Sequence, residues 1–170
     1  LTIVVFGSLL MTLTVGGSSI SVSAEKLNQQ ARARAIMDWV SRDLRNAISW
    51  EINANNPTSN YVKFNLWSWD TAANTWKLGD QFVEYSYNSA TSTLSRRLLD
   101  NTGTVLQETD FPDVILSPFY TSYTDEFTNQ FDKNVLLASR QMILVIRTHH
   151  AARGRDVSST LIENIKIRNG

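Results

Sequence analysis

Cysteine is absent from the 170 residues. Disulfide stapling and thiol catalysis are thereby excluded, and stability must come from the core alone. A net charge is missing too, since 16 Lys and Arg balance 16 Asp and Glu. No global field draws the chain to nucleic acid or to an anionic surface. Proline occurs three times and first at Pro57, so no proline breaks a helix in the front third of the chain. No phosphate-binding glycine loop, HExxH sequence, dinucleotide fingerprint or nucleophile motif occurs. Internal repeats and low-complexity tracts are absent as well.

The residues that could carry chemistry are few. His149 and His150 are the two histidines, and with Asp156 or Glu163 they can be drawn as a metal site. Neighbours on an extended chain point to opposite faces, however, and do not chelate one ion. Asp125, Glu126 and Asp132 offer the hard oxygen ligands that calcium takes. Their spacing lacks the glycine and terminal glutamate of an EF-hand, so a solvated loop is the expectation. Ser158 and Ser159 beside either histidine are too generic for a triad. The sequence leads to no catalytic residue, metal site or cofactor, and to a non-enzymatic role.

What is present begins at the front. Residues 1–24 carry no charge. The run meets the length of about 20 residues that spans a bilayer's hydrocarbon core. It is diluted by Thr2, Ser8, Thr12, Thr14, Ser18, Ser19, Ser21 and Ser23 and interrupted by Gly16 and Gly17. Small residues let helices approach closely, so the run suits packing against other helices better than standing alone in lipid. Val22-Ser23-Ala24 resembles the small-residue end of a signal peptide. Against that, the stretch passes unbroken into a helical pattern.

Residues 25–53 carry that pattern. Leu27, Ala33, Ile36, Met37, Val40, Leu44, Ala47 and Ile48 recur at spacings of three, four and seven. Arg32, Arg34, Asp38, Arg42, Asp43 and Arg45 take the opposite, solvated face. Asp38 precedes Arg42 by four residues, the favourable order for a helical ion pair. Pro57 and the asparagines before it end the helix near 53–56. At about 1.5 Å per residue such a helix is roughly 75 Å long, more than one small domain covers. Its front half is expected to find partners outside the chain.

After Pro57 the period becomes two. Residues 61–69 alternate Val62, Phe64 and Leu66 against Lys63 and Asn65, and a short strand near 76–78 ends at Gly79-Asp80. Residues 81–88 and 93–99 read as a hairpin, and the turn Asp100-Asn101-Thr102-Gly103 leads to a short strand at 104–107. Residues 114–123 form a strand weakened by Pro118, and 124–134 a loop. Residues 141–148 are nearly continuously apolar, which suits a central strand covered on both faces. A polar excursion at 149–158 precedes a last strand at 161–167.

The expected fold is α+β. A long N-terminal helix, 1–53, packs its rear half through Ile36, Met37, Val40, Leu44, Ala47 and Ile48 on the antiparallel sheet of one globular domain, 54–170. Trp67, Trp69, Trp76, Tyr85, Tyr87, Phe119, Tyr120 and Tyr123 are strand-forming core residues on this reading. An exposed subset of them, at a subunit interface or a sugar-binding face, is the alternative.

The start LTIVVFGSLL, the glycines after it and the segment RAIMDWVSRDLRNAI resemble the N-terminal helix of type IV pilins and of the pseudopilins of type II secretion. The strand pair VEYSYN and STLSRRLL, the strand QMILVIRT and the tail NIKIRN resemble most the PilW-class minor pilins and the J-class pseudopilins. In that family a prepilin peptidase cuts after a glycine, and the mature chain opens with a pattern such as FTLIEL. The resemblance either places five residues ending in glutamate ahead of Leu1 or sets Val5 in the glutamate's place.

The resemblance implies a structural subunit of a type IV pilus-like filament, as a minor or tip component. Such a subunit sits in the inner membrane before assembly and then in an extracellular or periplasmic filament. Leu1, Ile3, Val4, Val5, Phe6, Leu9, Leu10, Met11, Leu13 and Val15 would pack in the filament core, and Gly16 and Gly17 would let the helix stretch or unwind locally. Its partners would be other pilin or pseudopilin subunits, with no nucleic acid. The residues also allow a second class, a membrane-anchored, adhesin-like binding module. A membrane-tethered hydrolase resting on His149 or His150 has no motif behind it.

Overall fold

The computed structural model describes the backbone of residues 2–50, 58–122, 130–152 and 155–167, with side chains from residue 22 except at 48–50, 69, 76, 78, 133, 137, 152 and 155. Helix α1 (Thr2–Arg45) comes first and is continuous through Gly16 and Gly17. Strands β1 (Ala47–Trp50), β2 (Tyr61–Asp70), β3 (Thr75–Asn88), β4 (Thr93–Leu99) and β5 (Val105–Phe111) then form one antiparallel meander in chain order. A second antiparallel sheet has the order β6 (Phe119–Tyr120), β7 (Gln141–Ala152), β8 (Arg155–Lys166), with α2 (Lys133–Ser139) inserted before β7.

This architecture overturns the α+β expectation of one long helix laid on one sheet. The described residues are more strand than helix, in two separate antiparallel sheets. The break between the sheets has a local cause. Pro112, Asp113 at φ 64° and Pro118 cannot continue a ladder beside β5, so the chain leaves the meander there. Val114 bridges Thr148 instead, and Val145 donates its N–H to the Pro118 carbonyl at 2.9 Å, which starts the second sheet.

The helix also ends earlier than 53. Asn46 donates its N–H to the Arg42 and Asp43 carbonyls, and the next residues pair with β2, Ala47 with Leu66 and Trp50 with Phe64. Ala47 is therefore a buried strand residue, and Ile48 has its backbone in β1 with its side chain outside the described residues. Ile48 and Trp50 are β-formers, and pairing with β2 outweighs the helical spacing that ran through them.

Gly79 and Asp80 do not break β3. The register passes from Asn65↔Phe82 to Trp67↔Leu78, so three β3 residues stand opposite Leu66 as a bulge. A Cβ on Gly79 would lie 2.5 Å from the Leu66 carbonyl oxygen, so only glycine fits there. Within the polar excursion expected at 149–158, residues 149–152 and 155–158 are ladder instead, with β7 and β8 paired from Gln141↔Lys166 to Ala152↔Arg155. Within the expected loop, Asp132 caps α2 by accepting from the N–H groups of Asn134 and Val135.

The two sheets and the rear of α1 share one core. Ala33, Ile36, Met37, Val40 and Leu44 of α1 are buried in one cluster with Phe64 and Tyr85 of the first sheet and Met142, Leu144, Ile146 and Ile165 of the second. Along β7, Met142, Leu144, Ile146 and Thr148 share one parity and are buried, as period-two geometry requires of a strand covered by a helix.

Candidate functional site

The rear of α1 is held by polar ties to both sheets. Toward the first sheet, Asp43 is 5% exposed although its neighbours Arg42 and Arg45 face solvent. Its Oδ2 accepts from the Tyr85 hydroxyl at 2.8 Å and from Arg96 Nε at 2.7 Å. Arg96 is 6% exposed, so both charges of this ion pair are out of water. Burial opposes the charge on Arg96, but the Asp43 carboxylate offsets it and holds the guanidinium above its ordinary value. Burial, with the negative charge of Asp43, pushes the Tyr85 phenol well above its ordinary value. Trp39 lies beside this pair, with the guanidiniums of Arg42 and Arg96 at 5.4 and 5.7 Å from its ring and Phe111 edge-on at 6.0 Å.

Toward the second sheet, Ser41 Oγ donates to Glu163 at 2.6 Å, and Arg45 pairs with the same carboxylate. Arg32 pairs with Asp113 at 2.7 Å, and Thr148 donates its hydroxyl to the Gln29 carbonyl at 3.1 Å. These partners give the direction of the helix. Gln29 stands at Thr148 and Arg45 at Glu163, which pairs with Leu144, so α1 runs antiparallel to β7.

Gln29 is the first buried residue of α1 among the described residues. From there back to Thr2 the helix continues for 27 residues (29 − 2), about 40 Å. Beyond Thr148, β7 continues for only four residues, to Ala152, about 13 Å. The front of α1 therefore runs past the end of the β7–β8 hairpin. The side chains of Leu1, Ile3, Val4, Val5, Phe6, Leu9, Leu10, Met11, Leu13 and Val15 lie outside the described residues. Among the described residues no helix is long and apolar enough to cross a membrane.

The other candidates separate. Tyr85, Phe119 and Tyr120 are core residues, Trp67 and Tyr87 are half-buried, and Trp69, Trp76 and Tyr123 have side chains outside the described residues. His149 Nε2 stands 3.1 Å from Asp156 Oδ1, while His150 takes the opposite parity beside Val157. Asp125 and Glu126 lie outside the described residues, and Asp132 is used as the α2 cap. Among the described residues no three His, Asp or Glu side chains are grouped to hold a metal ion. A groove of about 400 Å3 between α1 and β8 is lined by Asp38, Ser41, Arg42, Arg45, Asn46, Glu163 and Lys166, with charges of both signs.

Sequence reasoning missed the Asp43, Arg96 and Tyr85 cluster. A signal was there, because Arg96 shares the parity of the apolar Leu94 and Leu98 on one strand. An arginine at a core position demands a buried carboxylate.

The geometry defines a two-sheet body clamped to the rear of a helix that extends beyond it. No family model, no curated protein and no solved structure matches the chain.

Proposed function

We propose that the protein is a structural subunit that assembles through the front of α1 into a type IV pilus-like filament, as a minor or tip component. One observation carries the reading. The seat of α1 begins at Gln29, and the residues ahead of it include an uncharged run to Ala24. The two-sheet body does not by itself argue for a filament; the helix does. An uncharged helix of that length needs an apolar partner, and the front helices of neighbouring subunits supply one after a stay in the inner membrane. The buried tie of Asp43 to Arg96 and the ties of Ser41 and Arg45 to Glu163 give the body a fixed position on the helix, which a repeating assembly requires.

The test is recovery of the full-length chain in filaments sheared from cells that make type IV pili. The wild type should sediment with the sheared filaments, and Leu9→Asp with Leu13→Asp should lower the recovered amount at least about tenfold, since a carboxylate in an apolar helix contact is costly. The far-ultraviolet circular dichroism of the body should not change. A wild-type chain that never sediments with filaments, or a double variant recovered at the wild-type level, overturns the reading.

A further inference from the structure

Past Leu66 the first sheet narrows to two strands. β4 pairs with β3 only from Phe82 onward, and β1 reaches β2 no further than Leu66 and the N–H of Trp67. From Trp67↔Leu78 to Asp70↔Thr75, β2 and β3 are an arm paired within itself. A free two-stranded ribbon is marginal in water, so its turn must be fixed. Asp70 does this by accepting from the N–H groups of Ala72 and Ala73 and pairing with Lys77 at 3.2 Å.

At the root of the arm, the Gly79-Asp80-Gln81 bulge opens a cleft of about 320 Å3 lined by Leu66, Trp67, Ser68, Gly79, Asp80 and Gln81. This lies within the range of roughly 300–1,000 Å3 usual for small-ligand sites. The bulge is fixed from inside, because the buried Asn65 amide donates to the Gly79 carbonyl at 3.3 Å. The lip is unspent. Among the described residues, the Trp67 ring has no aromatic or cation partner, and the side chains of Ser68, Asp80 and Gln81 make no hydrogen bond or ion pair.

The chemistry of this lining selects a ligand class. Among the described residues no Lys or Arg lines the cleft, and Lys77 on the arm is tied to Asp70, so phosphates and acidic sugars find no counter-charge there. Among the described residues the lining offers the Trp67 indole and, on the bulge, the Asp80 carboxylate and the Gln81 amide. An indole offers an apolar platform, and the carboxylate and amide accept from and donate to hydroxyl groups arrayed around a ring. We propose that the cleft at the root of the β2–β3 arm binds a neutral saccharide, stacked on Trp67 and hydrogen-bonded by Asp80 and Gln81. The site uses no residue of α1, so it stands or falls apart from the filament reading.

The test titrates the full chain with chitohexaose, cellohexaose and maltohexaose, following heat and tryptophan emission, with polygalacturonate as the acidic comparison. At least one neutral hexasaccharide should bind saturably. Trp67→Ala should weaken it about tenfold, and Trp67→Phe, which keeps a stacking face, should hold it within about threefold. Asp80→Asn should also weaken binding, with an unchanged melting temperature showing that the fold is intact. Binding to none of the three, tighter binding of polygalacturonate, affinity indifferent to Trp67→Ala, or self-association that Trp67→Ala abolishes each overturns the proposal.

Discussion

Asp43 decides more than its place on a helix suggests. Its carboxylate meets Arg96 and Tyr85 inside the protein, and removing one partner strands the other charge away from water. Arg96→Ala should therefore cost about 3–5 kcal/mol in urea unfolding, whereas replacing Asp43 and Arg96 together by leucine should cost less than the single change. A double variant as unstable as Arg96→Ala would show that packing, not charge, sets the cost. Tyr85 adds a dependence on pH. Its phenol is harder to ionise in the fold than its ordinary value of 10.0. The group leaves stability unchanged below about pH 10 and lowers it above, where the unfolded phenol ionises first, by at most about 1.4 kcal/mol per pH unit. Tyr85→Phe should flatten that alkaline decline in a series of urea midpoints. None of this was legible from the helical wheel, which sets Asp43 with Arg42 and Arg45 on the wet face. A wheel assumes one wet side, and here the first sheet reaches around to meet it.

At the scale of elements, the sequence announced strands wherever alternation was long and failed where a single residue controlled the backbone. Gly79 reads as a breaker because its chemistry permits a turn, but it serves as the close-approach point of a bulge. Gly79→Ala should cost about 1–3 kcal/mol in the same unfolding assay, since the backbone oxygen of Leu66 cannot step aside as a side chain would. A cost near zero would mean that the β2 and β3 backbones part easily. Asp132 was legible only as an acidic loop residue, and the structure makes it the start of α2. Asp132→Ala should remove about 1 kcal/mol, while Asp132→Ser, another capping residue, should restore most of it. The short segment at 47–50 misled for a different reason. Ala47 and Ile48 fit the helical spacing, and pairing with β2, invisible in a local window, took them.

For the whole molecule, the expectation of a long helix packed on one antiparallel sheet is overturned by a mostly β arrangement in two sheets. Counting strands cannot tell one sheet from two. That outcome rests on Pro112, Asp113 and Pro118, three residues that end pairing beside β5. Because both sheets bury side chains against the same stretch of α1, they should unfold as one unit. Leu44→Ala, at 0% exposure in the shared cluster, should cost about 2–5 kcal/mol and lower a single calorimetric transition without splitting it. Two separated transitions would show that the sheets are independently stable. The antiparallel course of α1 along β7 has a mechanical side as well. A pull on the front of the helix acts along its axis, nearly in the plane of the second sheet. The ties at Arg32, Ser41, Asp43 and Arg45 then share the load in shear, instead of opening one after another as in an unzipping hairpin. Tension on the rod is spread over both sheets at once, so the body should resist being dragged from its helix more strongly than any one of those contacts could.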